Sequence, residues 1–181
     1  MSNKAVFLDR DGVVNVDHGY VHKIEEFDFM PGIFELCQYA KRLGYKLIIA
    51  TNQSGIGRGY YTEDDFLRLS EWMKAQFVEN QCEIDGLYYS PYHPEKAQPP
   101  YLKKSNCRKP APGMLLQAIK DFDLKPCDCI MIGDNETDIQ ASKAAGIGRS
   151  VLLDTDNKSN SCAESDADEV WQALSEGLAK I

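Results

Sequence analysis

Apolar residues fall into two alternating patterns along this chain: short unbroken runs, and longer stretches in which they recur every three or four positions. "AVFLD" (Ala5–Asp9) is a compact apolar run and predicts a buried strand. "MPGIFELCQYAKRLGY" begins with Pro31 where a first helical turn favours proline and stops at Gly44, so it predicts a helix. "KLIIATN" (Lys46–Asn52) is a second buried strand. In "TEDDFLRLSEWMKAQFVEN" Thr62 stands as N-cap, acidic residues fill the first turn, and Phe66, Leu69, Met73 and Phe77 share one helical face. "IDGLYYSP" (Ile84–Pro91) is a third strand, followed by a proline-rich loop. The helix "APGMLLQAIKDF", the strand "CIMIGD" (Cys129–Asp134), the helix "TDIQASKAAG" and the strand "SVLLD" (Ser150–Asp154) follow. The polar "TDNKSNSCAESD" then leads to a last helix ending near Ile181.

Strands separated by helices imply an α/β fold with a parallel sheet covered on both faces. Ligands of such sheets bind beyond the carboxyl ends of the strands. Three strands here end in polar signatures: Asp9-Arg10-Asp11, Thr51-Asn52-Gln53-Ser54-Gly55 and Gly133-Asp134-Asn135. No internal repeat or low-complexity segment interrupts the pattern, and residues 1–181 are expected to form one domain.

Composition narrows the function classes. With 43% hydrophobic and 27% charged residues the chain reads as globular, and a formal charge of −8 gives no basic field for a nucleic-acid partner. No apolar stretch approaches the roughly 18 residues that span a bilayer, so no membrane partner is expected. "MSNKAVFLD" lacks the apolar core of a secretory signal, and the expected compartment is the cytoplasm. The six cysteines show no recurring spacing; most read as small, semi-buried hydrophobes, with Cys162 in the polar tail.

Two carboxylates one residue apart at a strand end repel unless a cation or ligand offsets them. If the strand ends converge, Asp9 and Asp134 can share a hard divalent cation such as Mg²⁺, which takes oxygen ligands and keeps waters for a phosphate. Thr51 offers a hydroxyl, its loop "TNQSGIGRG" offers backbone amides, and Lys109 offers a positive charge to phosphoryl oxygens. Asp11 is then left to act as general acid. Each residue also has a plainer use. Asp-x-Asp-Gly makes ordinary turns, Thr51 ends a strand, Lys109 is a solvated loop charge, and Asp134 with Asp138 caps a helix. The conjunction of four elements in one order favours the site.

"FLDRDG", "IIATNQSG", "CRKP" and "IGDNETD" resemble, in order, the four motifs of the haloacid dehalogenase-like phosphatases. The resemblance implies a Rossmann-like three-layer sandwich around a central parallel sheet, with no large cap domain. It implies Asp9 as nucleophile, Asp11 as general acid and base, and Thr51 and Lys109 as ligands of the phosphoryl group. Asp134 would bind Mg²⁺ beside Asp9 and the backbone carbonyl of Asp11, with Asp138 orienting its neighbours. "DRDGVVNVDHGYVHKIEEFDFMPG", "TNQSGIGRGYYTEDDFLRLSEWM" and "DGLYYSPYHP" are similar to the sugar-bisphosphate branch of that family. By that likeness Asp17, His18, Gly19 and Tyr20 contact the sugar with Thr51, Asn52, Gln53 and Ser54. Arg108 matches the branch's substrate-recognition arginine, a fork suited to a second phosphate. The expected partner is a small sugar phosphate, and the expected state a monomer.

The chain departs from its branch twice. Better-known members hold a structural zinc in the loop before the third motif, where this chain reads Ser90, Tyr92, Ser105 and Cys107. Three of four ligands are replaced, so structural zinc is not expected; Pro91, Pro94, Pro99 and Pro100 would restrict the loop, and Tyr92, Tyr101 and Leu102 would fill the space. Asn135, counted with the substrate contacts, stands where some relatives carry a lysine, which removes a positive charge near substrate. The sister activity on histidinol phosphate shares the motifs, but "HGYVHKIEEFDFMPG" and "SGIGRGYYTEDDF" favour the sugar branch. A phosphoacceptor signalling domain would carry its reactive aspartate at the end of the third strand, which here reads "YYSPYHP". A non-catalytic binding module is disfavoured because every catalytic position is filled.

Overall fold

The computed structural model describes residues 3–155 and 165–181. Six strands form one parallel sheet: β1 (Ala5–Leu8), β2 (Lys46–Asn52), β3 (Gly86–Ser90), β4 (Ile130–Gly133), β5 (Arg149–Leu153) and β6 (Glu169–Trp171), in the order β3-β2-β1-β4-β5-β6. The helices are α1 (Ile33–Arg42), α2 (Ser54–Gly57), α3 (Glu63–Glu79), α4 (Gly113–Asp121) and α5 (Glu136–Ala144).

Alternation along the strands sorts the core into two layers. Val6, Leu8, Leu47, Ile49, Ile130 and Ile132 face one side, where Leu36 and Cys37 of α1 and Leu69, Met73 and Phe77 of α3 cover them. Ala5, Phe7, Ile48, Ala50 and Met131 face the other, under Met114 and Leu115 of α4 and Ala141 of α5. The result is a three-layer sandwich. The two long loops, after β1 and after β3, add no large cap among the described residues. No helix among these residues is long and apolar enough to cross a membrane.

β1 pairs with β2 on one side and with β4 on the other, so the strand order reverses between β1 and β4. In open parallel sheets that reversal opens a crevice at the carboxyl ends. Leu8 is level with both Ile49 and Ile132, which brings the residues after β1, β2 and β4 to one height.

Several elements differ from the sequence reading. The expected last helix is instead the short strand β6, paired with β5, followed by a 3-10 turn over Leu174–Ala179. Trp171 is fully buried there, and a Cβ on Gly177 would meet Leu36 at 2.4 Å, so this segment packs closely on α1. The "TNQSGIGRG" loop contains the single-turn α2. Cys37, Cys82 and Cys129 are buried as expected, whereas Cys127 is exposed; Cys162 lies outside the described residues. Thr62 caps α3 with a reciprocal bond from Asp65.

Candidate active site

The chain leaves β1 at Asp9 and turns at once, because Gly12 adopts φ 87°. A side chain there would be strained and would strike Asp134, whose Oδ2 lies 2.0 Å from the position of a Cβ. This close approach brings the β1 and β4 loops together. Oxygens of Asp9, Asp134 and Asp138 all lie within 4.8 Å of one another, with Asp134 exposed and Asp138 buried.

Lys109 enters this group from the loop before α4 and is 2% exposed. Its Nζ lies 2.9 Å from Asp9 Oδ1 and 2.5 Å from Asp138 Oδ1, and donates to the Ala50 carbonyl at 2.7 Å. Burial alone would lower the Lys109 pKa, but Asp138 and Asp9 outweigh it and hold the ammonium above its usual range. Burial and then the Asp138 charge raise Asp9 well above an ordinary carboxyl, against the opposing pull of Lys109. Asp134 is exposed as a residue, but the crowding of its carboxylate against this group, which desolvates it, and then the Asp138 charge push it up to about 7. One cation therefore faces three carboxylates, an excess of negative charge that an oxygen-preferring divalent cation fits.

Asp9 is held by one oxygen. The Arg10 backbone N–H donates to Oδ1 at 2.8 Å, the oxygen that Lys109 also meets, and no hydrogen bond or ion pair among the described residues uses Oδ2. Asp11 is held by both. Arg10 Nη2 lies 2.8 and 3.0 Å from its two oxygens, Asn15 Nδ2 donates at 3.1 Å, and Gln53 Nε2 donates at 2.9 Å. Arg10 itself is 1% exposed and lies against the rings of Phe27 and Phe66. Tyr61 completes the chain of contacts, its hydroxyl donating to Gln53 Oε1 at 2.5 Å, with burial first among the causes that push its pKa up to about 12.

The remaining sequence-derived residues separate into those that line the cleft and those that do not. A cleft of ≈ 480 Å³ opens above the carboxylates, and Asp17, Gly19, Tyr20, Ser54, Arg108 and Asn135 reach it. Asn52 and Gln53 also border it, but their amides are committed elsewhere. Asn52 clasps the Lys109 backbone, accepting from its N–H and donating to its carbonyl, both at 3.0 Å. Gln53 spends its amide on Asp11, Thr51 and Tyr61. Thr51 is 1% exposed beneath Gln53 and is absent from the lining. His18 also lies outside: it meets Asp28 at 2.8 Å in an adjoining hollow. Asn135 caps α5, accepting from the Thr137 N–H, and Asp138 returns a bond to the Asn135 N–H. The capping use and the site use of Asp138 thus coexist in one residue.

Sequence reasoning did not single out Arg10, Asn15, Tyr61 or Thr137. An arginine between two aspartates carries no periodic signal of burial, and Tyr61 reads as one of several loop aromatics. At the zinc-equivalent positions, the Cys107 thiol sits 3.0 Å from Ser105 Oγ and 3.3 Å from Ser90 Oγ. Tyr101 packs beside Ile56, Tyr61 and Phe66, and its ring lies 6.0 Å from that of Tyr92. Leu102 does not join them and is 44% exposed.

The sequence profile of the haloacid dehalogenase-like hydrolases matches residues 3–146. The chain is 55% identical over 153 residues to the D-glycero-alpha-D-manno-heptose-1,7-bisphosphate 7-phosphatase of Burkholderia mallei, covering 84% of this chain and 81% of that one. It is 49% identical over 152 residues to the D-glycero-beta-D-manno-heptose-1,7-bisphosphate 7-phosphatase of Pasteurella multocida, covering 84% and 82%. Among solved structures it is similar to the D,D-heptose 1,7-bisphosphate phosphatase of B. bronchiseptica, complexed with magnesium and phosphate. The TM-score is 0.83 at 26% identity, over 97% of this chain and 96% of that one.

Proposed function

The chain belongs to the haloacid dehalogenase-like hydrolase family, and from that premise we propose that it removes the 7-phosphate of D-glycero-D-manno-heptose 1,7-bisphosphate through an aspartyl-phosphate on Asp9. The observation that carries the chemistry is the meeting of Asp9, Lys109 and Asp134 at the sheet's crossover crevice. Asp9 Oδ2 attacks phosphorus while the bond from phosphorus to the sugar oxygen breaks. Asp11 gives its proton to that leaving oxygen, and in the second step takes one from the water that displaces the Asp9 oxygen and frees phosphate. Lys109 meets the negative charge of the phosphoryl oxygens, and Asn52 fixes the backbone that carries it. Arg10, Asn15 and Gln53 keep the Asp11 carboxyl at the cleft.

Asp9 and Asp134, with the Asp11 main-chain carbonyl, are the groups that would hold Mg²⁺, and Asp138 and Lys109 brace them from behind. The ion supplies charge neutralisation to the transferring phosphoryl group. Thr51 is assigned to the same group by its place in the second motif, although it is buried here and its hydroxyl accepts from Gln53. Asp17, Gly19, Tyr20, Ser54 and Asn135 are assigned to the sugar, and Arg108 to the 1-phosphate; His18 is turned to Asp28 in the adjoining hollow. The product keeps an anomeric phosphate, the handle that nucleotide activation of a heptose requires, and the reaction is assigned to that route in the cytoplasm.

Phosphate release from both anomers of heptose 1,7-bisphosphate and from histidinol phosphate, measured side by side, tests the reading. One heptose anomer is expected to be the best substrate. A higher kcat/KM on histidinol phosphate would replace the assignment with the sister activity.

A further inference from the structure

Arg58 is a cation that the reaction chemistry does not use. It follows α2 directly, is half-buried, and its Nε is buried without a hydrogen-bond partner. Among the described residues no carboxylate pairs with it; its guanidinium lies over the Tyr20 ring, 5.6 Å from the centroid. Tyr20 in turn borders the cleft, held in the left-handed region at φ 54° with its ring edge-on to Tyr60 at 4.8 Å. That backbone conformation is costly for a tyrosine, and the flanking contacts with Arg58 and Tyr60 stabilise it.

Arg108 approaches the same place from the other loop. The turn that carries Arg58 is packed on that loop: Gln98 donates to the Gly57 carbonyl at 2.7 Å, and a Cβ on Gly57 would lie 2.4 Å from the Pro91 carbonyl. One residue on, the Tyr92 carbonyl accepts from Arg108 Nη1 at 3.2 Å. Arg108 has no carboxylate partner among the described residues either. Burial first and then the Arg58 charge lower its pKa. Two partly desolvated cations without a counter-ion cost free energy that a doubly charged anion between them would remove.

We propose that Arg58 and Arg108 together seat the substrate's non-reacting phosphate, with Arg58 as a specificity-determining residue reached across the Tyr20 ring. This rests on the reading of the chain as a sugar-bisphosphate phosphatase. Arg108 borders the cleft, whereas Arg58 stands behind the Tyr20 ring at its edge, so Arg58 would meet the phosphate from the α2 side and Arg108 from the loop before α4, while Lys109 stays with the reacting phosphoryl group.

The experiment compares wild type, Arg58→Ala and Arg58→Lys on heptose 1,7-bisphosphate and on heptose 7-phosphate, which lacks the second anion. Arg58→Ala is expected to lose about 30-fold more kcat/KM on the bisphosphate than on the monophosphate, the size of one hydrogen bond to a charged group. Arg58→Lys should recover part of that difference, since a point charge remains without the planar fork. Equal losses on the two substrates, or a wild-type preference for the bisphosphate that survives in Arg58→Ala, would overturn the assignment of Arg58 alone. A wild-type enzyme with no preference between the substrates would overturn the bisphosphate reading beneath it.

Discussion

Replacing Lys109 by methionine removes the one ammonium among three carboxylates while keeping much of the side chain's length. The residue is 2% exposed and meets Asp9 at 2.9 Å, Asp138 at 2.5 Å and the Ala50 carbonyl at 2.7 Å. Breaking a buried ion pair from one side costs about 3–5 kcal/mol, because a desolvated charge is left uncompensated. For a chain of this length each kcal/mol moves Tm by about 2–4 °C, so a drop on the order of 10 °C is expected in metal-free buffer at pH 8. The pH trend has a definite sign. Asp9 already carries a raised pKa, and losing Lys109 removes the neighbour that lowers it, so it rises further. A raised folded-state carboxyl contributes stability below the unfolded range near pH 4, at about 3.9 for aspartate, and that contribution is lost as pH climbs through the folded value. The deficit of Lys109→Met should therefore widen with rising pH, read by comparing pH 5 with pH 8. Calorimetric melts of both proteins in EDTA at those pH values measure it. A Tm within about 2 °C of wild type at pH 8, or a deficit that narrows with rising pH, would refute the electrostatic reasoning.

Asp9→Asn should stay folded and lose activity by far more than tenfold, since an amide is a feeble nucleophile; a loss within about tenfold, or ~1.4 kcal/mol in barrier, would exclude covalent catalysis through Asp9. Activity should vanish in EDTA and return with Mg²⁺, and Ca²⁺, with its larger and less regular shell, should inhibit. Because Asp134 carries a pKa of about 7, apparent Mg²⁺ affinity should rise with pH up to that value and then level off; calorimetric titration showing affinity independent of pH between 5 and 8 would contradict this. Purified protein should contain far less than one zinc per chain, Cys107 being engaged with Ser90 and Ser105, and elemental analysis showing stoichiometric zinc would overturn that.

Much of this was legible in the chain because strong local patterns and the tertiary fold agree. The buried runs of β1, β2 and β4 and the capped face of α3 appear within a residue or two of their expected places. β6 was not legible: three residues are too few to show alternation, and its pairing with β5 and the burial of Trp171 are tertiary features. At the site, each carboxylate and Lys109 alone has a plainer use, and it was their conjunction in one order that pointed to the cluster the structure brings together. Sequence gave no access to the division of labour around them. Asn52 and Gln53 look like substrate contacts, but their amides are spent on the Lys109 backbone and on Asp11. Arg10, wholly buried against two rings, has no periodic neighbour that would mark it as anything but a solvated charge.

The covalent role proposed for Asp9 is open to direct chemical trapping. Wild-type protein turning over heptose 1,7-bisphosphate with Mg²⁺ is quenched in acid, reduced with borohydride and digested, so that an acyl phosphate is converted to an alcohol at the carboxyl that carried it. Conversion is expected at Asp9 alone, and none in Asp9→Asn. Reduction at Asp11, Asp134 or Asp138 instead, or no reducible carboxyl in an enzyme that is turning over, would contradict the assignment of Asp9 as the nucleophile.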